Sequence, residues 1–269
     1  MLDSLKEIFE NEKIEYFSLL PYSLVRVTKE RLVSREGFIP KSVIVYLLPY
    51  YTGKTENISL YSASLDYHLA IREINEKVIK KLKDLYPCNE FLGFGDHSPI
   101  DERSAALISG LGLLGDNGLL INEKYGSFVF IADIVTDLEF ENYTEQKKEI
   151  SFCHHCGKCK ENCPTGILRG EGDSCLSAIT QQKAPLTKEE ELLIVNFNTV
   201  WGCDLCQTVC PYNQNPKKTP LDFFERERIS RLDLKTLDSM TDEELSRRAF
   251  GWRGRKVLLR NLALFEKND

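Results

Sequence analysis

The clearest pattern along the chain is a helical stripe over residues 66–86. Ala70, Ile74, Val78, Leu82 and Leu85 recur at the spacing of one helix face, and Lys80, Lys81 and Lys83 occupy the last turns, where cations suit the dipole. A shorter stripe of Leu5, Ile8 and Phe9 predicts a helix over residues 4–12, with Asp3 as candidate N-cap. Residues 42–51 (SVIVYLLPYY) form an unbroken, β-rich apolar run, the pattern of a buried strand ending near Pro49. Residues 119–121 and 127–135 predict two more strands, joined through a turn at 124–126. Ser98-Pro99 predicts a turn and then a helix start, continuing through Ala105–Ser109. Glycines 110, 112, 115 and 118 then break regularity, which suggests that the backbone approaches something closely. Strands alternating with helices indicate an α/β layer.

Beyond a polar, charged stretch at 139–149, which reads as a linker, the periodicity weakens. Thr187-x-x-Glu190 and Thr241-x-x-Glu244 are capping boxes that predict two helix starts, the first helix running through Val195. Residues 213–220 (NQNPKKTP) read as loop. There is no internal repeat and no low-complexity tract.

With 269 residues, 42% of them hydrophobic and 28% charged, the chain has an ordinary globular composition. No apolar run approaches the roughly 20 residues that cross a bilayer. The start, MLDSLKEIFENEKIEYF, is acidic and amphipathic, unlike a signal peptide. A cytoplasmic location is therefore expected, where cysteines stay reduced. The net charge of −6 argues against nonspecific coating of nucleic acid, without excluding a local basic site.

Eight of the nine cysteines lie between Cys153 and Cys210. The first run is Cys153-x2-Cys156-x2-Cys159-x3-Cys163-Pro164; Cys175 follows alone, then Cys203-x2-Cys206-x3-Cys210-Pro211. The first run has the bacterial ferredoxin spacing for [4Fe–4S] ligation, in which the fourth cysteine serves the other cluster. Counting ligands then closes: Cys153, Cys156, Cys159 and Cys210 for one cluster, Cys163, Cys175, Cys203 and Cys206 for the second. Disulfides would need an oxidising compartment, and zinc suits paired Cys-x2-Cys motifs but not this run. Cys88, outside the runs, reads as a free thiol, buried or semi-exposed.

With these runs in hand, the sequence resembles the epoxyqueuosine reductase family, in a short form without the C-terminal helical-repeat extension of longer members. The resemblance rests on CHHCGKCKENCPTG, CLSAIT and WGCDLCQTVCPYN, on DHSPIDER (96–103), and on GLGLLGDNGLLI followed by GSFVFIADIVTD. It implies an α+β protein: a nitroreductase-like or reductive-dehalogenase-like corrinoid domain over 1–140, a ferredoxin-like double-cluster domain over 141–220, and a basic helical segment over 221–269. It also implies two [4Fe–4S] clusters and cobalamin, acting together to reduce epoxyqueuosine in a tRNA anticodon loop to queuosine. A one-electron donor such as ferredoxin or flavodoxin, a monomeric state and no membrane partner complete this expectation. The competing readings are a cobalamin-dependent reductase of another substrate, and a two-cluster electron carrier without corrinoid.

The resemblance assigns residue roles. Asp96 matches the family's proton-donor aspartate; read alone, it is an N-cap ahead of Ser98-Pro99. Asn117, Leu120 and Ile131 fall where family members line the corrin, and Ser177 and Asp204 fall where the cluster domain touches it. As plain structure these would be a turn residue, two core residues and a helix cap. Tyr67 and His68 match a Tyr-His pair of the family; Tyr67 is assigned to the cofactor site, with a buried aromatic as its bland reading, whereas His68 reads as a surface imidazole. Arg247, Arg248, Arg253, Arg255, Lys256 and Arg260, interleaved with Phe250 and Trp252, suit phosphate contacts and stacking on an RNA loop. Arg253, Arg255 and Lys256 are the RNA-binding candidates; the bland reading is a solvated helix. Asp116 stands where many members have Lys, and His97-Ser98 where small residues are usual.

Overall fold

The computed structural model describes residues 2–147 and 149–266. The chain divides into two compact units. The first comprises Met1–Pro49 and His68–His154; the second comprises Tyr50–Tyr67 and His155–Asp269.

The first unit contains α1 (Leu2–Asn11), β1 (Phe17–Pro21), α2 (Arg31–Ser34), β2 (Ser42–Pro49), α3 (Tyr67–Leu85), β3 (Phe91–Gly95), α4 (Glu102–Ile108), β4 (Leu113–Leu114), β5 (Leu120–Ile121) and β6 (Val129–Thr136). Four strands form one sheet in the order β1-β2-β6-β3, every neighbouring pair antiparallel. β4 and β5 pair as a separate hairpin. The unit is thus α+β, with helices on both faces of an antiparallel sheet.

β2 explains its own sequence. All eight of its residues are buried, because Val43, Val45 and Leu47 join a core with Ala105, Ala106 and Leu107 of α4. The alternate residues meet the other helices: Tyr46 packs against Phe9 of α1 at 5.4 Å between ring centroids, and its hydroxyl donates to Asn75 of α3 over 3.0 Å. Burial on both faces removes the usual alternation of apolar and polar residues.

The predicted stripe of α3 holds for Ala70, Ile74, Val78 and Leu82, all buried, but Leu85, the last residue of the helix, is exposed. Asp3 lies within the first turn of α1 rather than at its cap. β3 escaped the sequence reading because FLGFG carries two glycines. Those glycines are required by the helix beside them: a Cβ on Gly93 would lie 2.4 Å from Asn75, and one on Gly95 2.5 Å from Ile71.

The second unit carries α5 (Lys158–Glu161), α6 (Leu176–Gln181), α7 (Lys188–Asn196), α8 (Leu205–Thr208), α9 (Leu234–Ser239), α10 (Asp242–Ser246) and α11 (Arg255–Glu266). Both capping boxes are formed: Thr187 accepts from the Glu190 amide and Thr241 from the Glu244 amide, each glutamate answering in return. A core of Ile58, Val200, Trp201, Leu232, Phe250 and Leu258 ties residues 50–67 to the C-terminal helices. No helix among the described residues is long and apolar enough to cross a membrane.

Candidate active site and cluster-binding region

In the first unit the DHSPIDER segment links β3 to α4. Asp96 takes a left-handed backbone, φ +64°, and its side chain is 65% exposed. Helix α4 begins six residues later, and its N-cap is Asp101, which accepts from the Ser104 amide over 3.0 Å. This displaces Asp96 from the capping role. Its carboxylate instead faces His68 Nε2 at 3.5 Å, and its amide donates to Glu102 Oε1 over 2.8 Å. His68 is a surface imidazole that lies beside the candidate acid. The next residue of the segment, Arg103, donates to the Gly118 carbonyl over 2.6 Å and ties α4 to the glycine-rich turn.

That turn is folded upon itself. Asn117 Oδ1 accepts from the Leu119 amide over 3.3 Å, and Gly118 holds φ +79°. A Cβ on Gly112 would lie 2.6 Å from the Ile121 carbonyl, so its close approach is to its own hairpin. Leu120 is buried in the α4-side core, whereas Leu114, Val129 and Ile131 are half-buried at the margin of that core.

Two carboxyls near Asp96 have displaced proton affinities. Asp133, in β6, is completely buried, and neither oxygen accepts a well-formed hydrogen bond, although the Ser98 hydroxyl is close enough to act on it. Burial pushes its pKa up to about 7; the Ser98 hydroxyl softens this effect. Glu102 is pushed up to about 8, first by burial and then by the Asp133 charge; the Asp96 amide hydrogen bond opposes this, the Asp96 charge adds a smaller push and Lys29 opposes.

The second unit contains most of the cysteine loops, and none of the nine cysteines forms a disulfide. Left-handed residues turn the chain around the first run: His155 at φ +52°, Gly157 at +78° and Gly166 at +72°. At Cys163, burial raises the pKa, but the Leu168, Thr165 and Gly166 amides and the Thr165 hydroxyl outweigh it, and the thiol is lowered overall. Such N–H donors suit a thiolate sulfur that carries metal charge. Cys203 is pushed up to about 12, chiefly by burial, with Cys175, Cys206 and Asp204 adding like charge. Helix α5, which carries Cys159, packs on α8, which carries Cys206.

The remaining candidates have definite structural roles in the second unit. Asp204 accepts from Ser59 Oγ and the Leu60 amide, both over 2.6 Å, and from Gln207 Nε2 over 3.1 Å. Ser177 is not a helix cap, since Cys175 occupies that position; its hydroxyl accepts from Gln181 over 3.0 Å. Tyr67 packs edge-on against Tyr61 at 6.4 Å.

The basic stretch divides sharply. Arg255 donates to the carbonyls of Leu237 and Met240 and to Asp242, tying α11 to the two helices before it. Arg260 donates to the carbonyls of Gln182 and Ala184. Arg248 is buried against Glu227, and Phe250 is wholly buried. Arg253 stacks its guanidinium over the exposed Trp252 ring at 3.7 Å, and Lys256 is exposed.

Comparison with known proteins places this geometry. Residues 152–213 match the family described as a 4Fe-4S double cluster binding domain. An epoxyqueuosine reductase of Listeria monocytogenes serovar 1/2a (strain ATCC BAA-679 / EGD-e) is 31% identical, over 96% of this chain and 72% of its own length. The chain belongs to the epoxyqueuosine reductase family. A solved epoxyqueuosine reductase with a tRNA-Tyr epoxyqueuosine-modified stem loop superposes with a TM-score of 0.79 at 24% identity, covering 98% of this chain and 80% of that one. A catabolic reductive dehalogenase shares the fold at a TM-score of 0.51 and 14% identity, over 97% of this chain and 36% of its own. The epoxyqueuosine reductase family is one of oxidoreductases, and this member carries its double-cluster domain.

Proposed function

We propose that this protein reduces epoxyqueuosine to queuosine in tRNA, using two [4Fe–4S] clusters and cobalamin. The observation that carries this reading is the match to epoxyqueuosine reductase across nearly the whole chain. The solved relative bound to an epoxyqueuosine-modified stem loop supports tRNA as the substrate.

Cys153, Cys156, Cys159 and Cys210 would hold one cluster, and Cys163, Cys175, Cys203 and Cys206 the other. The donor set fits: eight cysteines outside any disulfide, the first four in ferredoxin spacing, with amides already directed at Cys163. Asn117, Leu120 and Ile131 are assigned to cobalamin. The half-buried aliphatic margin of Leu114, Val129 and Ile131 suits the apolar face of a corrin. When bound, cobalamin supplies the low-valent cobalt chemistry that opens the epoxide, and the clusters feed it electrons singly.

Asp96 is assigned the proton transfer to the departing oxygen. Its side chain is exposed toward an incoming substrate, and His68 holds it from one side. Arg253 and Lys256, with Trp252 as a stacking surface, are assigned to the RNA. We also assign the protein to the cytoplasm as a monomer served by a one-electron donor such as ferredoxin or flavodoxin. Anaerobic assay of the cluster- and cobalamin-loaded protein on an epoxyqueuosine-containing stem loop tests the reading. Queuosine should accumulate, and its absence with both cofactors loaded would overturn the assignment.

A further inference from the structure

Removing an epoxide oxygen as water takes two electrons and two protons, and one carboxylic acid carries only one proton. We propose that Glu102 and Asp133 together store a proton and return it to Asp96 between the two transfers. This rests on reading Asp96 as the proton donor. Neither residue touches substrate; both act through Asp96.

The geometry is specific. Asp133 lies on β6 in register with Val45 of β2 and Phe94 of β3, on the sheet face covered by α4. It is an acid in a strand otherwise made of Val, Phe, Ile, Ala and Thr. A fully buried carboxylate that accepts no well-formed hydrogen bond, with the Ser98 hydroxyl only softening the effect of burial, is costly when ionised, so this position favours the protonated form. Glu102, the first residue of α4, stands within electrostatic reach of Asp133 and holds the Asp96 amide at 2.8 Å. Two carboxyls so placed cannot both ionise easily and titrate as a pair.

The charges around the pair set its range. Asp133 faces Ser98 from the DHSPIDER loop, Tyr22 following β1 and Glu102 from α4, and its charge also reaches Tyr46 on the opposite sheet face. Tyr22 Oη is itself buried without a partner. Glu102 additionally meets the Asp96 amide, whose hydrogen bond lowers its proton affinity, the Asp96 charge, which raises it by less, and Lys29, which lowers it. The balance leaves a proton on the pair near neutral pH.

The transfer balances simply. After Asp96 has protonated the first oxygen charge, an O–H bond at Glu102 breaks and one at Asp96 forms. Glu102 is left as carboxylate and regains its proton from Asp133 or, after product release, from water. No electron moves in this step. The store matters when substrate covers the exposed Asp96 and shuts out bulk water.

The test uses Glu102→Gln and Asp133→Asn in the cluster- and cobalamin-loaded protein. Glutamine preserves the acceptor for the Asp96 amide but carries no acidic proton. In the Gln variant, kcat should fall by roughly tenfold or more with KM and cluster absorption unchanged. The wild-type loss of rate on the alkaline side of neutrality should disappear from its pH profile. Independently of turnover, infrared titration should reveal a protonated carboxyl persisting above pH 6, and Asp133→Asn should change its amplitude and midpoint. If no such carboxyl titrates there, the store does not exist. If it titrates but Glu102→Gln keeps wild-type kcat and pH profile, the pair does not serve Asp96. A wild type that binds both cofactors but never reduces the stem loop overturns the functional reading and the relay with it, while the infrared arm still reports the shared proton.

Discussion

His68 Nε2 and Asp96 Oδ2 stand 3.5 Å apart, one at the start of α3 and the other in the loop after β3. The pairing gives the candidate acid a fixed neighbour, although its backbone is held in a left-handed conformation that few residues other than glycine, asparagine and aspartate adopt.

Asp96→Asn keeps the shape and tolerates φ +64°, yet cannot donate an acidic proton. Turnover should fall about a hundredfold or more, with both clusters and cobalamin still bound. Because Asp101 caps α4, the thermal midpoint should stay near that of the wild type. The control is Asp101→Ala, which should cost about 1 kcal/mol of stability. Steady-state kinetics and thermal melts on both variants check the division of labour; near-normal turnover in Asp96→Asn would remove it from the chemistry.

Anaerobically loaded protein should contain about eight iron and eight sulfide per chain, the content of two four-iron clusters. Cys175→Ala should disturb one cluster and spare the other, which iron analysis with electron paramagnetic resonance would register. Stoichiometric zinc without labile sulfide would contradict the assignment.

Arg253→Ala and Lys256→Ala should weaken stem-loop binding and flatten its salt dependence, each lost phosphate contact reducing the slope by about one. Arg255→Ala should behave differently. Its guanidinium is engaged with Leu237, Met240 and Asp242, so its removal should lower stability and leave the salt slope alone. Binding isotherms over a salt series separate the two classes.

Asp133→Asn should stabilise the protein at alkaline pH. The folded pKa of about 7 lies above the unfolded value. The folded state therefore holds the proton more tightly, and wild-type stability is lost as pH rises from about 4 to about 7. Asparagine removes that loss, so the stability gap should widen across this window, to at most roughly 4 kcal/mol at pH 8. Thermal midpoints of variant and wild type at pH 5 and pH 8 measure it; an equal gap at both would contradict a raised Asp133.

Patterns with one physical cause were legible in the sequence. β2 reads as a buried run because it is covered on both faces, and Thr187 and Thr241 announce helix starts because the box needs only local residues. The cysteine spacing is equally local. β3 was hidden because Gly93 and Gly95 answer to the bulk of Asn75 and Ile71 on a helix twenty residues away in sequence. Asp133 was hidden inside an apolar run; its only signal was an unexplained acid in a strand. The basic stretch misled because charge composition does not tell which arginines, like Arg255 and Arg260, are taken up by backbone carbonyls.

Residues 50–67 belong to the second unit although they precede most of the first in the chain. They bring Asn57, which exchanges hydrogen bonds with Leu232; Ser59 and Leu60, which hold Asp204; and Tyr61, which accepts from the Trp201 indole. The cluster-bearing half is consequently not a detachable cassette. A polypeptide beginning at residue 141 would retain all eight candidate cluster cysteines and still leave Asp204 and Trp201 with orphaned polar atoms. During synthesis, too, this unit must wait for its last helices before its earliest segment can be enclosed.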